Sequence, residues 1–426
     1  MDERRHAALS RNSRIDRAGW SVPICIGESR LSRNSPIDRA GRLVPICIGK
    51  SRLLAGLALA LVLGGCSVPH GVLVPSPNAA PSAGTIDAFV PQAVRFVEAS
   101  RGLKFKHPVR VRHLSDRAFG DRVIELQRES HADLERQAKV LRALGLLAPD
   151  VDAERAEEEL LATGVVGFYD SRTKELEVRG DTATVSVRHV VVHELTHALQ
   201  DQWFSLDYTG TGNDDADIAY TTLVEGDAVR VETAYVASLS PGDRRRLRAE
   251  ESRQGSSPPT DVPRVLVELL SFPYADGPSF TRAVLQARGQ KGLDDAFTHR
   301  PASSSQVLHP DRFLAGDAPA AVAEPSADGP AFDHGTIGEL GLDLLLEDLV
   351  RSGGLSAAQL RSATDGWAGD RYVAWPQGSG YCVRDRLVTS GSDANAALTT
   401  ALRQLAASRP GVTIDAGEQS VLTSCG

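Results

Sequence analysis

The chain has 426 residues, of which 42% are apolar and 24% are charged, so it is long enough and apolar enough to bury a substantial core. Its formal net charge of -8 argues against the broad basic surface that nucleic-acid binding requires. We therefore expect one folded domain or a closely joined pair, with no nucleic-acid partner.

The first 49 residues contain a duplication. Residues 10–19 recur almost unchanged as 32–41, and residues 22–27 recur as 44–49. Repeat folds need about three units to bury a core, and two short copies do not supply one. We interpret residues 1–49 as a mis-assigned translation start; a disordered cytoplasmic extension is the alternative.

Residues 50–65 have the pattern of a signal peptide: basic residues, then a run of apolar residues, then two glycines. The apolar run is too short to span a hydrocarbon core of about 30 Å. The ending Gly64-Gly65-Cys66 resembles a bacterial lipobox, which implies cleavage before Cys66 and lipid attachment to its sulfur. Residues 66–84 are rich in proline and serine, and we expect a flexible tether that holds an extracytoplasmic domain at the membrane.

The five cysteines are divided by this cleavage site. Cys25 and Cys47 precede it, Cys66 would carry the lipid, and Cys382 and Cys425 remain. In an extracytoplasmic domain, two remaining cysteines favour one disulfide, which would stabilise the fold by about 4 kcal/mol on the chain-entropy model. Two free thiols are the alternative.

The folded part is predicted to be α+β and predominantly helical. Apolar residues at helical spacing predict helices over 86–100, over 115–144 with a turn near Gly120, and over 153–162. A short strand is predicted over 109–112. Residues 164–180 are typical of a hairpin of two short strands joined by a polar turn.

A helix predicted over 181–204, capped by Asp181 or Thr182, contains His193-Glu194-Leu-Thr-His197. Residues four apart project from one helix face, so both imidazoles could bind one Zn²⁺. Glu194 lies beside them, where it could take a proton from a metal-activated water.

A catalytic zinc needs a third protein ligand and one open position. Glu225 on the next helix is the natural candidate, although a long interval with a polar loop at 205–214 keeps Asp227 and Asp217 as alternatives. Gly226 costs a helix interior up to about 1 kcal/mol relative to alanine, which is understandable if two helix backbones approach closely there.

The pentapeptide at 193–197 together with Glu225 resembles the gluzincin clan of zinc metallopeptidases. The wider sequence is similar to little-characterised bacterial and archaeal surface metallopeptidase-like proteins. Metzincins match less well, because Trp203 and Gln200 stand where that group has histidine and glycine. The resemblance implies a zincin-like core, with a small antiparallel sheet on the metal helix, and hydrolysis of peptide bonds.

Two further roles are expected near such a metal. Carboxylates commonly hold the second ring nitrogen of a metal-bound histidine, and the candidates are Asp227, Asp201 and Asp217. Attack of water on a peptide carbonyl produces an oxyanion, which a further catalytic side chain commonly stabilises. We expect His309, within residues 302–313, to have this role. Tyr274 is the second candidate. Weaker candidates are His299 and His334.

The predicted organisation is a zincin-like catalytic domain over 85–240 and a mostly helical part over 241–426 that completes the cleft. Within the second part we expect four helices and a few late strands. These helices are predicted over residues 263–270, 279–287, 336–351 and 356–363.

Together these patterns predict a membrane-tethered, extracytoplasmic zinc metallopeptidase that acts on a peptide or protein substrate. One alternative is a catalytically silent zinc-binding surface lipoprotein that serves as a binding platform. The other is a zinc amidase that acts on cell-wall peptides.

Overall fold

The computed structural model describes residues 84–162, 165–206, 213–254 and 262–426, apart from the side chains of 127–130 and 158–162. The predicted extension, signal peptide, lipidation site at Cys66 and nearly all of the tether lie outside the described residues. Among the described residues, no helix has both the length and the apolar character needed to cross a membrane.

The fold is α+β and predominantly helical, as predicted, with 59% of the described residues in helices and 16% in strands. The helices are α1 (Ile86–Arg101), α2 (Asp116–Ala143), α3 (Ala153–Ala162), α4 (Val185–Phe204), α5 (Asp214–Ser238), α6 (Pro241–Gln254), α7 (Arg264–Thr298), α8 (Ser304–Leu308), α9 (Pro310–Ala315), α10 (Gly338–Arg351), α11 (Ala357–Thr364) and α12 (Ser392–Ser408). The strands are β1 (Arg110–Leu114), β2 (Gly167–Asp170), β3 (Glu175–Arg179), β4 (Asp333–Gly335), β5 (Trp367–Gln377), β6 (Gly380–Thr389), β7 (Val412–Ala416) and β8 (Ser420–Cys425).

Helix α4 begins later than the sequence predicts. Thr184 is its N-cap, and the Thr184 side chain accepts a hydrogen bond from Val187 N. Asp181 and Thr182, which we expected to cap the helix, are held in extended backbone because Thr182 forms a β-bridge with Thr85 and Asp181 O accepts from Ile86 N. The start of α1 therefore fixes the approach of the chain to α4.

A three-stranded sheet in the order β1-β3-β2 packs beside α4. Strands β2 and β3 form the predicted antiparallel hairpin, and β1 pairs with β3 in parallel. Arg179 N donates to Val166 O, and Lys174 N donates to Asp170 O. Because alternate residues of a strand point their backbone groups to opposite sides, Tyr169 N faces away from β3, toward the free edge of β2.

Helices α5 and α7 approach closely at two glycines. A Cβ atom added to Gly226 would lie 2.3 Å from the backbone of Gly277, so neither position has room for a side chain. The close backbone approach predicted at Gly226 is therefore present. Helix α7 continues through Pro273 and Pro278 and is interrupted only by non-helical backbone at Gly289. The residues predicted to be helical over 263–270 and 279–287 are therefore helical, but the predicted break between them is wrong. Helix α2 likewise continues through Gly120, where we expected a turn.

The C-terminal part, predicted to be mostly helical, contains the larger sheet. Its strands are antiparallel, in the order β4-β5-β6-β8-β7, and α10, α11 and α12 contribute to the core beside it. Strands β5 and β6 lie where a few late strands were expected, and they bury the carboxyl groups of Asp370 and Asp385. Cys382 and Cys425 lie at disulfide-bonding distance, as the cysteine count predicts, and they join the C-terminus to β6.

Candidate metal centre

Helices α4 and α5 bring His193, His197 and Glu225 together. The Nε2 atoms of His193 and His197 are 2.9 Å apart, and Glu225 Oε2 lies 3.2 Å from the first and 3.4 Å from the second. Both histidines are fully buried, and Glu225 is 2% exposed. The four-residue histidine spacing and the carboxylate on the facing helix thus produce one compact group of three ligand atoms.

These three atoms fit a tetrahedral zinc site. Zinc bonds to histidine nitrogen and carboxylate oxygen are about 2.0–2.2 Å long, so two ligand atoms of a tetrahedron lie about 3.4 Å apart. The observed separations of 2.9, 3.2 and 3.4 Å are close to that value. Two nitrogens and one carboxylate oxygen also form a donor set that Zn²⁺ prefers, and three protein ligands would leave one position for a reactant.

The electrostatics of the group favour positive charge where the ligand atoms meet. Burial opposes charging of the His193 imidazole, but hydrogen bonds to Glu225 and Glu232 outweigh burial and raise the pKa of His193 to about 10. Burial also opposes ionisation of Glu225, but the two histidines outweigh it and lower the Glu225 pKa to about 2. The protein therefore stabilises an ionised carboxylate that faces a cation.

Glu194 is held beside this group by the sheet. Its Oε2 accepts a hydrogen bond from Tyr169 N at 2.8 Å, across the free edge of β2. Burial raises the pKa of Glu194 to about 7, with the charges of His193 and His197 acting in the opposite direction. A carboxylate with a pKa near the working pH can both accept and return a proton.

Each histidine of the group is oriented through its other ring nitrogen. His193 Nδ1 lies 3.2 Å from Glu232 Oε2, and His197 Nδ1 lies 2.9 Å from Gln200 Oε1. Gln200 in turn donates to Asp227 Oδ2 at 2.9 Å. Asp227, one of the predicted orienting carboxylates, therefore acts one residue further away than expected.

The sequence prediction did not identify Glu232 as an orienting carboxylate. The signal was nevertheless present, because Glu232 follows Glu225 by seven residues, or two helical turns, and so lies on the same face of α5. Asp201, another predicted candidate, instead accepts from Tyr169 Oη at 2.8 Å and pairs with Lys174 Nζ at 2.7 Å. Asp201 thus ties the hairpin to α4. Asp217 lies in the first turn of α5, which the helix dipole favours for an acidic residue.

The predicted oxyanion residues lie in different surroundings. His309 Nε2 is 2.7 Å from Glu339 Oε1 and 3.8 Å from Asp365 Oδ1, in a group distinct from the one that contains His193. Tyr274 instead packs against His193, with ring centroids 6.5 Å apart and ring planes 26° from parallel.

The two weaker candidates make local contacts. His299 Nδ1 contacts Thr298 and Asp295 O at the end of α7, and His334 pairs with Val373 in the C-terminal sheet. Of the four residues proposed to stabilise the oxyanion, Tyr274 is the one that contacts the candidate metal ligands, through His193.

Comparisons of this chain with protein-family models, with curated proteins and with solved structures found no match.

Proposed function

We propose that this chain is a zinc-dependent metallopeptidase of the gluzincin type, with a zincin-like core and an extracytoplasmic domain anchored through Cys66. The observation that carries the proposal is the convergence of His193, His197 and Glu225 next to Glu194. The lipid anchor is supported by the sequence pattern alone, and the Cys382–Cys425 pair is consistent with an oxidising compartment.

A Zn²⁺ held by His193, His197 and Glu225 would supply Lewis acidity that polarises a substrate carbonyl and lowers the pKa of water. The chain's own contribution to the chemistry is Glu194, which accepts the proton of the attacking water and later gives it to the leaving amine. The hydrogen bond from Tyr169 N fixes one oxygen of Glu194, so the carboxylate keeps its orientation through both transfers.

The strand beside Glu194 supports a peptide as the substrate. Strand β2 is an edge strand of its sheet, and Tyr169 N donates to Glu194 from the side without a paired strand, so an extended peptide that lay along this side would come within reach of the carboxylate. Tyr274, whose ring centroid lies 6.5 Å from that of His193, is the candidate to donate its hydroxyl hydrogen to a developing oxyanion.

Burial favours a second function, in which zinc joins helices and the protein serves as a binding platform. His193 and His197 are fully buried and Glu225 is 2% exposed, with Tyr274 packed over His193. Structural zinc sites are closed, whereas a catalytic site needs a position open to substrate. The two functions therefore differ in whether a fourth coordination position is free.

The test is hydrolysis of quenched fluorescent peptides by the full chain, compared with Glu194→Gln. We expect Glu194→Gln to lower kcat by about 10² to 10⁴ while the bound zinc is retained, because general acid–base catalysis contributes that much. Glu324→Gln is the matched control, since Glu324 is a surface carboxylate that pairs with Arg371. Equal turnover of both variants would reject Glu194 as the base. If the natural chain binds zinc but hydrolyses no protein or cell-wall peptide, the binding-platform function would be favoured.

A further inference from the structure

The metal-facing side of α4 carries a third histidine. His189 precedes His193 by four residues, as His193 precedes His197, so all three lie on one helix face. Helix α5 presents Glu225 and Glu232, two turns apart, to this row. Imidazoles and carboxylates therefore alternate along the contact between the two helices.

Glu232 links the additional histidine to the metal group. Its Oε1 lies 2.9 Å from His189 Nδ1, and its Oε2 lies 3.2 Å from His193 Nδ1. His189 is 3% exposed and Glu232 is 6% exposed, so solvent competes little for these hydrogen bonds. Each carboxylate oxygen accepts from one imidazole.

This arrangement fixes the protonation pattern of His193. An ionised carboxylate can only accept, so both imidazoles must place a hydrogen on Nδ1 when they face Glu232. In the neutral form of His193, which is the form that can bind a metal, the lone pair is then on Nε2, the atom that faces His197 and Glu225. A carboxylate bound at both oxygens also has little freedom to rotate away from His193.

His189 is not one of the three candidate ligands, and the Glu232 carboxylate lies between it and His193. Its Nε2 is 4.0 Å from Glu251 Oε1 on α6, beyond a direct hydrogen bond, so its short contact is the one with Glu232. A histidine buried only for packing would affect the stability of the helices without a specific effect on metal binding.

We infer that His189 is a positioning residue for the metal site and that it acts only through Glu232, which orients His193. This inference rests on the proposed zinc site and adds to it the residue that holds its orienting carboxylate. Loss of an orienting partner commonly weakens metal binding about 10-fold to 100-fold.

The experiment is a double-mutant cycle on zinc affinity, measured on the full chain by competition with a chromophoric chelator. We expect Glu232→Ala to weaken zinc binding about 10-fold to 100-fold, and His189→Phe, which keeps a ring but removes the donor, to weaken it about tenfold. When Glu232 is already alanine, His189→Phe should cause no further loss. His189→Asn should restore most of the affinity, because its amide nitrogen can donate in place of Nδ1.

A second readout separates positioning from folding. The visible absorption of bound Co²⁺ reports ligand geometry, and we expect His189→Phe and Glu232→Ala to shift it in the same way. Leu402→Ala is the control, since this fully buried residue of the C-terminal core should lower thermal stability without moving the spectrum or the zinc affinity. His189→Leu provides a second donor-free variant if His189→Phe does not fold.

The outcomes distinguish the inference from the proposed function. Tight zinc binding by the natural chain, with His189→Phe causing an equal loss in both backgrounds or no loss at all, would overturn the positioning role alone. Absence of zinc binding by the natural chain would overturn both.

Discussion

Two groups in this molecule contain histidine and carboxylate side chains, and they differ in geometry. In the first, His193, His197 and Glu225, the ligand atoms are separated by 2.9 to 3.4 Å. In the second group, His309 Nε2 lies 2.7 Å from Glu339 Oε1 and 3.8 Å from Asp365 Oδ1. The first set of separations fits one small ion. The second combines a direct hydrogen bond with a more distant carboxylate.

The charges around the two groups also differ. Arg312 lies 3.2 Å from Glu339 Oε2 and also donates to Asp365 O and Trp367 O, so the chain itself supplies a cation to the second group. Among the described residues, no lysine or arginine forms an ion pair with Glu225. Similar residue types therefore form an ion-pair network where an arginine is present, and a candidate metal site where, among the described residues, imidazoles face the carboxylate in place of lysine or arginine.

The largest expected difference between the two groups is in zinc affinity when one histidine of each is replaced by alanine. His197→Ala should weaken zinc binding at least about a hundredfold, because each ligand of a structural zinc contributes about 3 kcal/mol. His309→Ala should leave zinc affinity unchanged and lower the free energy of unfolding by about 1–3 kcal/mol, since Glu339 loses a buried partner. Zinc competition assays and denaturant unfolding of the full chain measure these two quantities.

An equal loss of zinc in both variants would show that the two groups form one functional unit. A second zinc in the natural chain that disappears in His309→Ala would show that Arg312 does not prevent the second group from binding metal.

A smaller effect is expected on the pH dependence of the free energy of unfolding, through a buried carboxyl group in the C-terminal sheet. Burial, followed by the charge of Asp370, raises the pKa of the Asp385 carboxyl well above its ordinary value. The folded chain thus binds this proton more tightly than the unfolded chain. Its contribution to stability is present below about pH 4 and is lost as pH rises through the raised pKa. Asp385→Asn should therefore be more stable than the natural chain at neutral pH, by about 1 kcal/mol, and this advantage should vanish at low pH.

Thermal unfolding of Asp385→Asn between about pH 2 and pH 8 measures this difference. Asp328→Asn is the control with the opposite sign, because the Arg384 hydrogen bond lowers the Asp328 pKa and its contribution is lost as pH falls. An Asp385→Asn advantage that does not grow with pH would contradict the raised pKa of Asp385.

The sequence was sufficient where a local pattern decides the geometry. The four-residue spacing of His193 and His197 requires one helix face, and the position of Gly226 correctly indicated a close backbone approach. The hairpin before α4 was also readable, because its two short strands flank a polar turn.

The remaining features depend on how distant segments pack. Glu232 and His189 meet only because α4 and α5 align over two further turns, which spacing within either helix does not determine. His309 was associated with catalysis by residue type, whereas the structure pairs it with Glu339 from α10. The late strands expected in the C-terminal part correspond to β5 and β6, but their assembly with β4, β7 and β8 into one sheet depends on pairing between distant segments, which the sequence pattern does not determine.

The most direct test of the central claim is X-ray absorption at the zinc edge of the full chain, combined with metal analysis. We expect one zinc per chain, with two imidazoles, one carboxylate and one exchangeable water, at bond lengths of about 2.0–2.2 Å. A zinc whose fourth ligand is another side chain would establish a structural site and contradict the peptidase. A chain that binds no zinc would contradict the metal centre itself.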